Sequence, residues 1–255
     1  MRQQSKVQVV VRGIVIGGEK PLICLPLVGD TKEKLLKEAE ELVTLKPDLL
    51  EWRIDAYDNV ENIEDCLSTL GELRDTIGET PLIFTCRINR EGGMKDISRN
   101  SRLALYAAAM KTGEVDIIDI ELCNDNEFIH IIREQAKAEG VKLILSYHNF
   151  KETPGETFIC AKLEEAQAAG ADISKLAVMP KNYGEVLTLL SATNKARNEI
   201  VQGPIVTMSM GKEGVVSRLA GGLFGSDITF AIGIQTSAPG QVPIAELKNG
   251  MALLY

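Results

Sequence analysis

Lys175 is the residue of this sequence best suited to covalent chemistry. It lies in the segment ISKLAVM (173–179), among apolar neighbours, where a charged ammonium group is costly to bury. Burial and nearby cations favour the neutral amine, which is the nucleophilic form. A neutral buried lysine can form a Schiff base with a carbonyl substrate. The alternative is a structural lysine paired with Glu51, Asp119 or Glu121.

Histidine is scarce, since the chain has two. His148 ends the apolar segment that precedes the one with Lys175, so its ring can reach a ligand held on the lysine. Imidazole suits proton transfer in both directions near neutral pH. Glu91 follows another apolar segment and could orient His148; a solvated loop glutamate and a structural histidine are the alternatives. His130 falls in a helical pattern, and we predict no chemistry for it.

Three arginines, Arg53, Arg87 and Arg218, can reach the same place. Guanidinium groups suit bidentate recognition of carboxylate or phosphate, so we predict a small anionic substrate, whose hydroxyl groups could bind Glu51. Arg53 and Arg87 are also the cations expected to favour the neutral amine of Lys175. The glycine-rich stretch 221–225 falls where barrels often bind phosphate, although such stretches are also common hinges.

Cysteine and histidine show no pattern of a metal centre or a disulfide framework. The five cysteines are widely spaced without a CxxC pair, and the two histidines form no HExxH motif. We therefore expect free thiols, a cytoplasmic protein and no metal site.

The elements that must position these residues repeat along the chain. Short apolar runs typical of buried parallel strands alternate with amphipathic stretches bounded by helix signals, one of them predicted at 60–69 after Asn59. Eight such units in 255 residues predict an α/β fold, a (β/α)₈ TIM barrel forming a single domain over 1–255. Residues 7–17 predict a short N-terminal β-hairpin that caps the barrel floor. The runs are 22–28, 49–54, 82–88, 115–122, 143–148, 173–179, 205–210 and 228–232.

An open doubly wound sheet is the alternative fold, but the glycine-rich fingerprint after its first strand is missing.

Alternation along the strands predicts which side chains face the barrel interior. In LEWRID (50–55) the apolar residues share one face and the charged residues share the other. The apolar set should face the helices, so the polar set should point inward, with the site at the carboxyl ends of the strands. The predicted interior set includes Glu51, Arg53, Arg87, Asp119, Glu121, His148 and Lys175.

The net charge of −8 and the isoelectric point near 5.0 argue against a nucleic-acid binder and against attachment to an anionic membrane. No apolar run approaches the ~20 residues that span a bilayer. The first 20 residues lack the pattern of a signal peptide, because Arg12 interrupts their apolar stretch.

A series of segments, in order and at suitable spacing, resembles the type I 3-dehydroquinate dehydratase family of the shikimate pathway. The resemblance covers essentially the whole chain. The segments are EWRID (51–55), TCR (85–87), REGG (90–93), DIEL (119–122), SYHNF (146–150), SKLAVMP (174–180), MSMGKEGVVSR (208–218) and SAPGQVP (237–243).

The resemblance implies a (β/α)₈ barrel that forms a homodimer, needs no cofactor or metal, and dehydrates 3-dehydroquinate to 3-dehydroshikimate through a lysine imine. Lys175 then corresponds to the Schiff-base lysine, His148 to the general acid and base, and Glu91 to the residue that orients the histidine. Arg218 matches the arginine that binds the substrate carboxylate. The remaining implied substrate contacts are Glu51, Arg53 and Arg87, with Ser237 and Gln241 in a lid.

Two other functions fit the same residues. A class I aldolase acting on a sugar phosphate would use Lys175 in the same way, with the arginines binding phosphate. A non-catalytic barrel that binds a small anion would not need Lys175 for its function.

Overall fold

Ten strands are present in the computed structural model, which describes residues 2–255. Eight of these strands form one parallel sheet in the order β10-β3-β4-β5-β6-β7-β8-β9. A parallel bridge between Ile205 and Ser226 nearly closes this sheet into a barrel. Each predicted apolar run overlaps one of these strands, so the (β/α)₈ prediction is confirmed. The strands are β1 (Val9–Val11), β2 (Ile14–Ile16), β3 (Leu22–Leu27), β4 (Leu49–Arg53), β5 (Leu82–Thr85), β6 (Ile117–Glu121), β7 (Lys142–Asn149), β8 (Ile173–Val178), β9 (Ile205–Ser209) and β10 (Ile228–Phe230).

Eight α-helices surround the strands, and none among residues 2–255 is both long and apolar enough to cross a membrane. They are α1 (Lys32–Thr44), α2 (Ile63–Ile77), α3 (Arg99–Lys111), α4 (Asn126–Glu139), α5 (Glu156–Ala168), α6 (Tyr183–Lys195), α7 (Val215–Ala220) and α8 (Ile244–Met251). His130 lies on α4, as predicted, and it is exposed.

The helix predicted at 60–69 begins three residues later and ends eight residues later than expected. Asn62, not Asn59, is its N-cap, because the Asn62 side chain accepts a hydrogen bond from the backbone N–H of Asp65. Gly78, with a positive φ of 55°, ends the helix after Ile77.

Alternation along the strands separates two layers of side chains, as the sequence predicted. Leu50, Trp52 and Ile54 pack outward against the helices, where Trp52 lies edge-on to Phe84 with ring centroids 5.5 Å apart. Glu51 faces inward and accepts a hydrogen bond from the Thr85 hydroxyl at 2.9 Å.

The inward side chains themselves form two levels, apolar at the amino ends of the strands and polar at the carboxyl ends. The lower level is a buried apolar cluster that includes Leu49, Ile83, Ile117, Ile144 and Ile173. Two residues further along the same strands stand Glu51, Thr85, Asp119, Ser146 and Lys175. The polar groups thus lie above an apolar base, together at one end of the barrel.

The N-terminal hairpin covers this apolar base. Strands β1 and β2 pair antiparallel, and Val9, Val11 and Ile16 are buried in the same cluster as the lower-level residues. The predicted hairpin and its place at the barrel floor are both confirmed.

The glycine-rich stretch 221–225 does not lie at the polar end. It comes before β10 begins, and a Cβ at Gly222 would lie 2.6 Å from both Pro21 and the hydroxyl of Tyr255. Pro21 itself precedes β3, so the stretch packs at the amino ends of the strands. The expectation that it falls at a phosphate-binding position is therefore wrong.

We predict that Ile16→Ala lowers the free energy of unfolding by about 2–4 kcal/mol, because it empties space in a packed apolar cluster. Ile16 is fully buried, whereas its neighbour Val15 points to the other face of the hairpin and is 39% exposed. Val15→Ala is therefore the matched control, with a cost below ~0.5 kcal/mol. Equal losses for both variants in urea denaturation would show that the hairpin does not seal the floor.

Candidate active site

A pocket of about 440 Å³ opens at the carboxyl ends of the barrel strands. Eight of the nine predicted site residues contribute to its wall, and Arg218 does not. Glu51, Arg53 and Lys175 reach it from strands, and Arg87, Glu91, His148, Ser237 and Gln241 from strand ends and loops.

Lys175 points from β8 across the barrel interior and is 5% exposed. Its Nζ lies 2.7 Å from Oδ2 of Asp119 and 3.5 Å from Oε1 of Glu51, and 4.5 Å from the centre of the Phe230 ring. The groups in direct contact with the amine are thus carboxylates, two of the three that the sequence offered as alternative partners, and not the arginines expected nearby. Attack on a carbonyl requires the free amine.

Asp119 is shared between Lys175 and Arg87. Its Oδ1 lies 2.9 Å from Nη2 of Arg87, and Arg87 also contacts Oε1 of Glu121 at 2.9 Å. Burial alone would raise the pKa of Asp119, but the charges of Arg87 and Lys175 lower it well below its usual range. Asp119 therefore remains a carboxylate that fixes the position of Nζ.

His148 and Glu91 form a hydrogen-bonded pair beside Lys175. Oε2 of Glu91 accepts from the backbone N–H of His148 at 2.9 Å and lies 3.0 Å from Nδ1 of its ring. The contact with a carboxylate assigns the ring hydrogen to Nδ1 and leaves Nε2 as a free acceptor.

Burial, Arg87 and Lys175 lower the pKa of His148 well below its ordinary 6.5. The imidazole is consequently neutral at neutral pH and available as a base.

The three predicted arginines differ in how their charge is balanced. Arg53 makes two bonds to the carboxylate of Asp55, at 2.9 and 2.8 Å, and Arg87 contacts Asp119 and Glu121. Arg218 has no carboxylate partner among residues 2–255.

Arg218 instead donates to the backbone carbonyls of Phe230 at 3.3 Å and Pro239 at 2.9 Å. Burial lowers its pKa to about 10. A buried cation without a counter-ion is a group that an anion would stabilise. Arg218 lies behind the pocket wall, next to Met208 and Phe230, which do line the pocket.

Ser237 and Gln241 lie in the loop after β10 and are bonded to each other. Oε1 of Gln241 accepts from the backbone N–H of Ser237 at 3.0 Å, and its Nε2 lies 3.3 Å from the Ser237 hydroxyl. Gly240 has a φ of +75°, and a Cβ there would lie 2.1 Å from the carbonyl oxygen of Gly211. Glycine therefore lets this loop lie directly against the loop after β9.

Sequence reasoning missed the apolar part of the wall, formed by Phe150, Met208, Met210, Phe230 and Ala238. Alternation could have identified Met208 and Phe230, because they follow inward-facing positions on β9 and β10. No such signal exists for Phe150, whose ring packs against Gly92 in another loop, where a Cβ would lie 2.5 Å from it. Among the residues described, no group of three His, Cys, Asp or Glu is arranged to hold a metal ion.

Comparison with known proteins agrees with this fold. A family model described as Type I 3-dehydroquinase matches residues 23–255. The 3-dehydroquinate dehydratase of Geobacillus thermodenitrificans is 43% identical over 251 residues, which are 98% of this chain and 97% of that protein.

Two solved structures show the same architecture. The 3-dehydroquinate dehydratase of Geobacillus kaustophilus superimposes with a TM-score of 0.96 at 43% identity, covering 98% of this chain and 97% of the other. The type I enzyme of Clostridium difficile, solved with covalent modified comenic acid, superimposes with a TM-score of 0.94 at 44% identity, covering 97% of both chains. Because the family model matches residues 23–255, which are nearly the whole chain, this chain belongs to the type I 3-dehydroquinases.

Proposed function

We propose that this chain is a hydro-lyase that dehydrates 3-dehydroquinate to 3-dehydroshikimate in the shikimate pathway, through an imine on Lys175. The observation that carries the proposal is the meeting of a buried lysine with a Glu91–His148 pair in one pocket. The family membership of the chain supports the choice of substrate.

The proposed reaction begins at the substrate ketone. Nζ of Lys175 adds to the carbonyl carbon, and loss of water leaves a protonated imine. The imine withdraws electrons and acidifies the neighbouring C–H bond. Nε2 of His148 takes that proton, and the electron pair of the C–H bond forms an enamine.

Elimination follows from the enamine. Its electrons expel the hydroxyl group on the carbon β to the imine, and the imidazolium of His148 returns its proton to the departing oxygen, so that water leaves. A second water molecule hydrolyses the imine and frees the product and the Lys175 amine. One histidine thus serves as base and then as acid.

The charged side chains of the pocket divide the remaining tasks. Glu91 orients the imidazole and stabilises its protonated form, while Asp119 holds Nζ and stabilises the protonated imine. Arg218, the cation without a carboxylate partner among the described residues, binds the substrate carboxylate. Glu51, Arg53 and Arg87 bind its hydroxyl groups, and Ser237 and Gln241 cover it.

Every proposed step is a proton transfer, an addition or an elimination, which these side chains can supply themselves, so we propose no cofactor or metal. The aldolase and the anion-binding barrel remain as alternatives. The Glu91–His148 pair argues against a barrel that only binds, which has no need of a proton shuttle. A covalent modified ligand in the Clostridium difficile relative supports a reactive side chain in the pocket.

We also propose that the protein acts as a homodimer in the cytoplasm. The exposed apolar side chains of Tyr183 and Leu187, one turn apart on α6 and 70% and 67% exposed, support self-association. All five cysteines are free thiols, as expected in a reducing compartment.

The first prediction from the proposed function concerns the imine. Borohydride added during turnover of 3-dehydroquinate should fix substrate-derived mass on Lys175, detected by mass spectrometry of the peptide that contains it. Lys175→Ala should give no adduct and no turnover. Lys181→Ala is the matched control, since Lys181 lies just after β8 with its side chain 62% exposed, and this variant should label at Lys175 as before.

His148→Ala completes this experiment. The variant should still form the adduct, whereas its kcat should fall by ~10²-fold or more because the proton acceptor is missing. Labelling with sugar phosphates alone would support the aldolase, and full activity of His148→Ala would remove the histidine from the mechanism.

The second prediction concerns Arg218. Arg218→Met should raise KM by ~10-fold or more and change kcat by less than ~3-fold, because the bond to the carboxylate is present in both ground and transition states. Steady-state kinetics at a temperature well below the measured melting point separates this effect from instability. A loss confined to kcat would contradict carboxylate binding by Arg218.

The third prediction is the oligomeric state. Light scattering after size-exclusion chromatography should give twice the 27.8 kDa of one chain. A mass of one chain at micromolar concentration would contradict the homodimer.

A further inference from the structure

Glu91 has a second partner besides His148. The thiol of Cys123, in the loop between β6 and α4, donates to Oε1 of Glu91 at a sulfur–oxygen distance of 2.9 Å. Oε2 of the same carboxylate receives the backbone N–H and the ring of His148. Both oxygens of Glu91 are therefore occupied, one by the histidine and one by the cysteine.

We propose that Cys123 is a positioning residue for the dehydration: its thiol holds Glu91 in the orientation that directs His148 to the substrate. The kinetic part of this inference rests on the proposed function. The structural part does not, because it concerns only the contacts of Cys123, Glu91 and His148.

The hydrogen bond from the Cys123 thiol is important because Glu91, which accepts it, is buried. Glu91 is 5% exposed, and apart from Cys123 no side chain or backbone group among residues 2–255 hydrogen bonds to its Oε1. Without Cys123 this oxygen of a buried carboxylate would lose its hydrogen-bond donor, which is a costly state for a charged group. The carboxylate could then rotate away from the imidazole, or take up a proton.

Cys123 is an exposed residue, but its thiol points to Glu91 and is suited to donate a hydrogen bond. Partial burial of the thiol, the bond to Glu91 and the charge of Glu91 raise its pKa to about 12. The thiol is therefore protonated throughout the working pH range of a cytoplasmic enzyme, and a protonated thiol is a donor but a poor nucleophile.

The direction of the pH effect follows from the charge of the Glu91–His148 pair. In its working form the pair is a carboxylate beside a neutral imidazole, with one negative charge. One added proton neutralises the pair, whichever of the two groups carries it. The Cys123 thiol stabilises the negative form more than the neutral one, so its removal raises the pH at which the pair takes up that proton.

The other charged groups around the Glu91–His148 pair are the same in all the variants compared. Arg53, Arg87, Asp119 and Lys175 face His148, and Arg87 and Glu121 face Glu91. Arg90 lies beside Cys123, to whose backbone carbonyl it donates at 2.9 Å. No substitution of Cys123 changes any of these groups, so a shift between variants reports the thiol.

The test uses the small number of histidines in the chain. Nuclear magnetic resonance of the ring protons gives separate pH titrations for His148 and for His130, which is exposed on α4 and serves as the internal reference. In Cys123→Ala we expect the His148 midpoint to move up by about 0.5–1 pH unit, because a thiol is a weak donor to a charged acceptor. Cys123→Ser keeps a donor and should stay within ~0.2 unit of the parent protein.

Cys160→Ala is the matched control, because the Cys160 thiol also donates to an oxygen, the carbonyl of Ala192 at 3.6 Å, but far from the pocket on α5. It should leave the His148 midpoint unchanged. The inference is overturned if the Cys123→Ala midpoint does not move, or if Cys123→Ser moves it equally far.

Kinetics supply the second measurement. Cys123→Ala should lower kcat for 3-dehydroquinate by ~3- to 10-fold with KM within ~2-fold, and Cys123→Ser should restore kcat. Unchanged kcat in Cys123→Ala would overturn the positioning role. A parent protein that does not turn over 3-dehydroquinate would refute the proposed function, while the titration would still decide whether Cys123 acts on His148.

Discussion

The site depends on a chain of alternating charges inside the barrel, from Lys175 to Asp119, Arg87 and Glu121. All four side chains are almost completely buried, and each would be very costly there without its neighbours. Pairing makes the burial tolerable and gives each group one position. The orientation of Nζ in the pocket, and the electrostatic environment that keeps His148 neutral, both follow from this network.

The two levels of inward side chains explain how such a network coexists with a stable fold. The apolar level and the hairpin exclude water from the amino ends of the strands, and the ionic level sits two residues further along. Packing of the helices on Trp52 and its neighbours is independent of both, since it uses the opposite face of every strand. Strands β4, β6 and β8 can therefore contribute charged groups to one interior without losing their hydrophobic support.

Much of this organisation could be predicted from the sequence, because alternation along a strand is a local property. The eight strands, the hairpin and the inward direction of Glu51 and Lys175 all follow from it. Contacts between distant loops have no local signal: Cys123 and Glu91 are 32 residues apart and meet only because neighbouring strands bring their loops together. The sequence left the partner of Lys175 open, because alternation along the strands places both arginines and carboxylates in the barrel interior. The stretch 221–225 could have been placed correctly, because it precedes the run predicted at 228–232 and so leads into the amino end of that strand.

The hairpin floor has an evolutionary consequence. On β4, β6 and β8 the residue that seals the floor and the residue that carries a charge are separated by a single step of two positions, as Ile173 and Lys175 are on β8. Floor residues need only volume and apolarity, so many combinations can satisfy them, whereas the charges above require fixed identities. Evolution can therefore adjust stability by substitutions at the amino ends of the strands without disturbing the charged groups at the opposite end.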